Sequence, residues 1–299
     1  MSRHPQTAKD LRRLAALLLF LFIAALPAWG QTKIKPPRNF FGVETDVELG
    51  REAASEYERE LKPFYDEEVS GYVGRVGRRL IAALPEQYRR KQFAYVFKVV
   101  DDKELNAFAL PGGHVYVNRG LVEGSASEGE LAAVLAHEIS HVALRHGTAQ
   151  ASKALLAQIG LAVLSEALGD SKKAQAVELG GYAALGLYMM KFSRDYEKQA
   201  DILGAQIMSR AGYDPREMVA LFRKFEQEGG SGLPQWLSDH PSHRNRAARI
   251  TEEAGMLTVV ERRSGEESEL SRIQARLRTM PDARSRTQRA QRSLQALNR

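Results

Sequence analysis

The chain has 299 residues, 43% of them hydrophobic, enough to bury one large core or two small ones. It has no cysteine, which excludes disulfides and lipidation on an N-terminal cysteine, so a metal centre has to be built from histidine and carboxylate. Four of its 43 Lys and Arg and one of its 37 Asp and Glu fall in the first 30 residues; the remaining 39 and 36 leave a net charge of +3, too mild to argue for nucleic acid as a partner.

At the N-terminus, Arg3, Lys9, Arg12 and Arg13 precede an apolar run over 14–29, and Ala28-Trp-Gly30 follows its core. A basic start, an apolar run and small residues before a cleavage point predict a signal peptide over residues 1–30, cleaved after Gly30. An uncleaved anchor is the alternative, although the run is short for a bilayer span and holds Pro27. The expected destination is the periplasm. Residues 31–44 are Pro-rich and basic and read as an extended linker. Thr45 or Asp46 is placed to cap a helix over 47–61. A second helix over 67–84 carries Val69, Tyr72, Val73, Val76 and Leu80 at helical spacing and ends at Pro85.

Residues 93–100 are aromatic and β-branched with the alternation of a strand. Residues 106–118 read as a short strand, a turn at Pro111-Gly112-Gly113 and a second strand. Gly120-Leu-Val122 leads into a short helix, and Ser127 is placed to cap the next one. That next helix is apolar, without Gly or Pro inside, yet it contains His137-Glu-Ile-Ser-His141. Two His and a Glu are rarely buried and need a reason to be there. Spacing i, i+4 puts His137 and His141 on one face, one turn apart. Two neutral imidazoles so placed can share one Zn²⁺, one ion per chain, and Glu138 beside them can take a proton from the attacking water.

His146-Gly147 is expected to close this helix. An amphipathic helix is expected over 149–168 and another over 172–191, where Gly180, Gly181 and Gly186 point to close helix packing, with a mobile or membrane-contacting flap as the alternative. Residues 193–201 start a further helix, and Asp214-Pro215 caps and starts another, through about 226. Residues 228–232 form a Gly-rich loop. A helix over 263–277 places Leu270, Ile273 and Leu277 on one face. Beyond it Arg dominates, so the folded domain is assigned to 45–260 and residues 261–299 to a basic helical or disordered tail.

Four blocks now stand in a telling order: Asn106-Ala-Phe-Ala-Leu-Pro-Gly-Gly, His137-Glu-Ile-Ser-His141, Glu197-Lys-Gln-Ala-Asp201, and His240-Pro with Arg246 six residues after the His. Over about residues 40–280 the chain resembles the M48-type zinc metallopeptidases. The resemblance implies an α+β, mainly helical, zincin-like (gluzincin) domain with a small β-sheet beside the active-site helix. It implies Glu197 as the third zinc ligand after His137 and His141, leaving one position open for catalysis. Asp201, one turn further on, then accepts the distal N–H of His137 and fixes its ring. Glu138 is the general base. His240 either stabilises the oxyanion, with Arg246 orienting it or the nearby backbone, or fills the fourth zinc position and keeps the enzyme latent. Asn106, Ala107, Phe108 and Ala109 are expected to run beside the cleft as an edge strand that captures extended peptide, with Gly112 and Gly113 permitting close backbone approach. His114 and His243 read as surface or packing residues.

The chain is similar to exported bacterial members of the family that act in periplasmic quality control of outer-membrane proteins. It differs from many of them in stopping after 268–277, where they continue into tetratricopeptide repeats, and it lacks the long spanning helices of integral-membrane relatives. The resemblance thus implies a zinc endopeptidase acting on misfolded or unassembled envelope proteins. Its partners are unfolded or extended polypeptides, together with outer-membrane assembly machinery or a membrane surface, and not nucleic acid. Two readings compete with it: a latent protease acting mainly as a chaperone-like binding protein, its zinc site closed by His240, and a purely structural zinc protein, which leaves Glu138 unexplained.

Overall fold

The computed structural model describes residues 31–61, 64–168, 192–227, 235–240, 245–260 and 267–280. The chain divides into two units, Met1–Gln31 and Thr32–Arg299, and only Gln31 of the first is described. The expected signal peptide, the helix over 172–191, the Gly-rich loop at 228–232, His243 and the Arg-rich residues after 280 lie outside the described residues.

The first helix, α1 (Val43–Glu60), begins earlier than the capping residues predicted, after an extended Gly42. Asp46 does not cap it. Its carboxylate turns inward and accepts from Arg145 Nε at 2.8 Å and Thr148 Oγ1 at 2.7 Å. A partner a hundred residues away outcompetes the local cap. Helix α2 (Glu67–Ala82) is capped by Asp66, which accepts from Val69 N at 3.0 Å, and its apolar row is buried as expected. Three strands follow: β1 (Val96–Val100), β2 (Ala107–Ala109) and β3 (His114–Asn118). β3 lies between the other two, parallel to β1 and antiparallel to β2, with Phe108 opposite Tyr116. The Pro111–Gly113 turn joins β2 to β3 with φ of 77° at Gly112 and 113° at Gly113, values that favour glycine.

After the short α3 (Arg119–Gly124) comes α4 (Glu128–Ala143), every residue of which is buried. Ser127 caps it, accepting from Glu130 N at 3.1 Å. The chain does not close α4 at His146-Gly147. Arg145 takes the left-handed position at φ 59°. Its guanidinium is held by Asp46 and donates to the carbonyls of Phe41 and Gly42, so long-range contacts stabilise a conformation that glycine adopts unaided. His146 instead opens α5 (His146–Leu168). The expected polar face of α5 is missing: Leu155, Leu156, Ile159, Val163 and Leu164 are all exposed.

Helix α6 (Arg194–Arg210), capped by Ser193, lies along α4. At Gly204 the two helices come within side-chain reach: a Cβ there would stand in ordinary contact with the backbone of Ala136 and His137, at 3.4 Å, and closer to Met218 Cε, at 3.1 Å. Helices α7 (Arg216–Gln227), α8 (Gln235–Asp239) and α9 (Arg246–Met256) complete the layer. Helix α10 (Glu267–Thr279) lies within the stretch read as a tail, yet Leu270, Ile273 and Leu277 belong to the main core, each contributing about 1.5–3 kcal/mol of burial. Residues 32–40 form no helix or strand and are pinned to the domain. Tyr88 Oη donates to Ile34 O, Gln199 Nε2 to Lys35 O and Phe40 N to Ser152 Oγ. The result is a mainly helical α+β fold with a three-stranded sheet packed beside α4.

Candidate active site

Helix α4 presents His137, Glu138 and His141 from a fully buried face, and α6 brings Glu197 and Asp201 against them. His240 follows α8 and Arg246 opens α9. His137 Nε2 lies 3.0 Å from His141 Nε2, 3.3 Å from Glu197 Oε2 and 3.2 Å from His240 Nδ1. Glu197 Oε1 lies 3.0 Å from His240 Nδ1 and 3.6 Å from His141 Nε2. These four residues offer ligand atoms all within 4.8 Å of one another, and all four are buried. Glu197 Oε2 has no hydrogen-bond partner.

Ring nitrogens and a carboxylate so converged repel one another unless a cation sits among them. Tetrahedral ligands about 2.0–2.2 Å from a metal stand about 3.3–3.6 Å apart, which is close to the observed spacings. The donor set, imidazole and carboxylate without thiolate, suits Zn²⁺. Electrostatics agrees. Burial pulls His137 down, but the hydrogen bonds to Asp201 and Glu197 and their charges outweigh it and carry it up to about 9. A potential that draws a proton that strongly also draws a metal ion. Burial raises Glu197, yet the positive potential of His240 and the hydrogen bond from His137 hold it well below the usual carboxylate range. Burial keeps His141 well below its ordinary value and brings His146 down to about 3, so both rings are neutral.

Asp201 Oδ1 accepts from His137 Nδ1 at 3.1 Å, leaving the Nε2 lone pair facing the donor set. Arg246 clamps the same carboxylate, Nη2 to Oδ1 at 2.6 Å and Nε to Oδ2 at 2.9 Å, and donates from Nη1 to His240 O at 2.9 Å. Arg246 thus holds the backbone of the His240 turn rather than the His240 ring. Glu138 Oε1 accepts from Trp236 Nε1 at 2.9 Å and lies 3.3 Å from His240 Nε2. Trp236 was not singled out from the sequence; a buried indole needs a partner for its N–H, and the Trp four residues before His240 was the available signal. His146 Nδ1 lies 3.0 Å from His141 Nδ1, another contact that the sequence reading missed.

Asn106 Nδ2 donates to Asp239 Oδ2 at 3.2 Å, tying the start of β2 to the turn that carries His240. β2 pairs on one side only among the described residues. Ala107 is buried against the core. The Phe108 ring packs against Tyr57 and Tyr116, with centroids at 4.8 and 5.1 Å. Ala109 lines a cavity of about 210 Å³ together with Leu110, Pro111, His141 and Phe192. The space a side chain would take at Gly112 is filled by the backbone of Asp46 and Val47, and at Gly113 by that of Ala94 and Tyr95. His114 is half-buried.

Imidazoles and a carboxylate that could hold a metal, converging from two packed helices with a second carboxylate beside the first His and an edge strand alongside, are the arrangement of a metallopeptidase. The family model for Peptidase family M48 matches residues 67–254, and the chain belongs to that family. It is 34% identical over 165 residues to the mitochondrial metalloendopeptidase OMA1 of Bos taurus, covering 52% of this chain and 32% of that protein. It is 29% identical over 208 residues to the beta-barrel assembly-enhancing protease of Escherichia coli (strain K12), covering 67% of this chain and 42% of the other. With the mitochondrial metalloendopeptidase OMA1 of Schizosaccharomyces pombe it shares 32% identity over 206 residues, 68% of this chain and 58% of the relative. The match therefore spans about a third to three-fifths of these relatives' lengths.

Proposed function

We propose that the protein is a zinc-dependent endopeptidase that hydrolyses peptide bonds in misfolded or unassembled envelope proteins. The observation that carries this is the buried convergence of His137 Nε2, His141 Nε2 and the Glu197 carboxylate beside Glu138. His137, His141 and Glu197 hold the metal. When bound there, zinc supplies a Lewis acid that polarises the scissile carbonyl and makes water acidic enough to attack near neutral pH.

Glu138 takes the proton of the attacking water as the C–O bond forms, and gives it to the amide nitrogen as the C–N bond breaks. Trp236 holds Glu138 Oε1 in place for both transfers. Asp201 orients His137, and Arg246 keeps Asp201 charged and the His240 turn closed. The free side of β2 takes substrate as an added strand, with Asn106 anchoring its start and Ala107, Phe108 and Ala109 along it. Gly112 and Gly113 shape the turn that places it. Such a mode needs extended backbone and so selects unfolded polypeptide.

An envelope setting is supported by the N-terminal sequence, by similarity to a protein named for beta-barrel assembly, and by the exposed apolar residues of α5. The proposed location is the periplasm, with the signal cleaved after Gly30 and contact with outer-membrane assembly machinery or a membrane surface. No described helix is long and apolar enough to cross a membrane.

The second reading, a latent protease acting as a chaperone-like binding protein, is favoured by one observation. His240 Nδ1 points into the ligand group, 3.2 Å from His137 Nε2 and 3.0 Å from Glu197 Oε1, where it would take up a coordination position that catalysis needs open. Cleavage of an unfolded reporter protein tests both readings. Chelation and Glu138→Gln each abolish cleavage by an active enzyme, with Glu138→Gln losing about 10²–10⁴-fold while keeping its metal. Full activity in Glu138→Gln sinks the proposed base. A rise in cleavage in His240→Ala identifies the closed state; an inert His240→Ala that still prevents aggregation supports the binding role.

A further inference from the structure

The two imidazoles of α4 need their proton on Nδ1 to turn the Nε2 lone pair toward a metal, and a carboxylate does this only for His137. Among the described residues, no carboxylate lies at hydrogen-bond distance from His141 Nδ1. There is a chain of neutral groups: His141 Nδ1 to His146 Nδ1 at 3.0 Å, His146 Nε2 to Gln199 Oε1 at 3.1 Å, and Gln199 Nε2 to the carbonyl of Lys35 at 3.0 Å. His146 is fully buried, and its ring is stacked on Tyr196 at 4.5 Å and 7°.

The protons along this chain are not free to choose their places. A backbone carbonyl only accepts, so Gln199 turns its NH₂ toward Lys35 and its oxygen toward His146. That oxygen only accepts, so His146 carries its proton on Nε2 and keeps a lone pair on Nδ1. The lone pair takes the Nδ1–H of His141, whose Nε2 is left as a bare donor facing Glu197 and His137. Reversing the amide reverses every link and points an N–H of His141 at the metal position.

We propose that the Lys35 carbonyl, Gln199 and His146 form a neutral relay that fixes the tautomer of His141, which makes His146 and Gln199 positioning residues for the metal. The docked segment ahead of α1 is thereby part of the site. The inference rests on His141 being a zinc ligand, as proposed above.

The test uses the purified full chain, zinc affinity measured by competition with a chromogenic chelator, and ring ¹⁵N spectra of the zinc-loaded protein. His146→Phe keeps the stack on Tyr196 but removes both nitrogens, and is expected to weaken zinc binding about 10–100-fold. Gln199→Leu removes both the acceptor toward His146 and the donor toward Lys35, and is expected to follow His146→Phe. The parent spectra should show His141 protonated on Nδ1 and His146 on Nε2. A folded His146→Phe that binds zinc as tightly as the parent overturns the relay alone. So does a parent spectrum with His141 metallated through Nδ1, a measurement that stands even if His146→Phe does not fold. A parent chain that binds no zinc sinks the metal reading, and the relay with it.

Discussion

His137 and His141 sit one turn apart on the same buried helix, and their far sides are held by opposite chemistry. Behind His137 lie charges, with Asp201 clamped by the Nε–Nη2 edge of the Arg246 guanidinium. Behind His141 lie neutral groups that end at a backbone carbonyl. A buried ion pair is tolerable only when complete, because either partner alone is an uncompensated charge in a low dielectric. A neutral relay costs less to break, but it specifies a proton's position only while every link is made. The charged side should therefore govern stability, and the neutral side should govern the metal's donors with little effect on the fold.

The strongest way to break this contrast is Arg246→Ala. Arg246 is 1% exposed and Asp201 is fully buried, so the variant strands a carboxylate. We expect a loss of about 3–5 kcal/mol, read from urea unfolding of the metal-free chain. Arg246→Lys should recover less than half of this, since an ammonium cannot make the bidentate contact or replace the stack on Phe222 at 4.3 Å. An unfolding midpoint equal to the parent's shows that the charges behind His137 do not hold the fold.

Trp236→Phe sharpens the comparison at Glu138, the proposed general base. Phe keeps a ring for the stack on Phe222 at 5.5 Å and removes the N–H that Trp236 gives to Glu138. The expected cost is about 0.5–1.5 kcal/mol in stability and about tenfold in kcat for peptide cleavage, with zinc affinity unchanged. A weakened metal with intact kcat would instead assign Trp236 to the ligand group through its edge contact with His137.

How much of this was legible beforehand follows from the range of each signal. His137 with His141, and Glu197 with Asp201, are i, i+4 pairs, and helical periodicity alone puts each pair on one face. The Pro111-Gly112-Gly113 turn and the Ser127 cap are equally local, and the buried row of α10 is periodic. What periodicity cannot show is which distant group answers a polar residue. Asp46 looked like a cap because Arg145 is a hundred residues away. Gly147 looked like a helix stop because nothing local tells that Asp46 and two carbonyls hold Arg145 left-handed. Gln199 falls between Glu197 and Asp201 and so off their face, which hides its role until α5 and the segment before α1 are in place. His240 and Arg246 carry meaning only once α8 and α9 bring them to α6.

The smallest effect is expected where a charge pair like that of Arg246 and Asp201 has one partner in water. Asp66 caps α2 and accepts from Arg276 of α10, Nη2 at 2.7 Å and Nε at 2.9 Å. The Arg276 hydrogen bond holds the Asp66 carboxyl below its usual 3.8 despite partial burial. With the folded value depressed, its stabilisation is fully present above the unfolded value and fades as pH falls through the folded one. Asp66→Asn keeps the cap and removes the charge. Because Arg276 is 43% exposed, water screens the pair, and at pH 7 the variant should lose only about 0.5–1 kcal/mol. That gap should shrink below pH 3.8, and it should narrow in molar salt at neutral pH. Urea midpoints of both proteins across this range decide it. A gap that persists undiminished in acid and in salt means that Asp66 works by hydrogen-bond geometry alone, and the link between burial and the value of charge drawn at Arg246 loses its control.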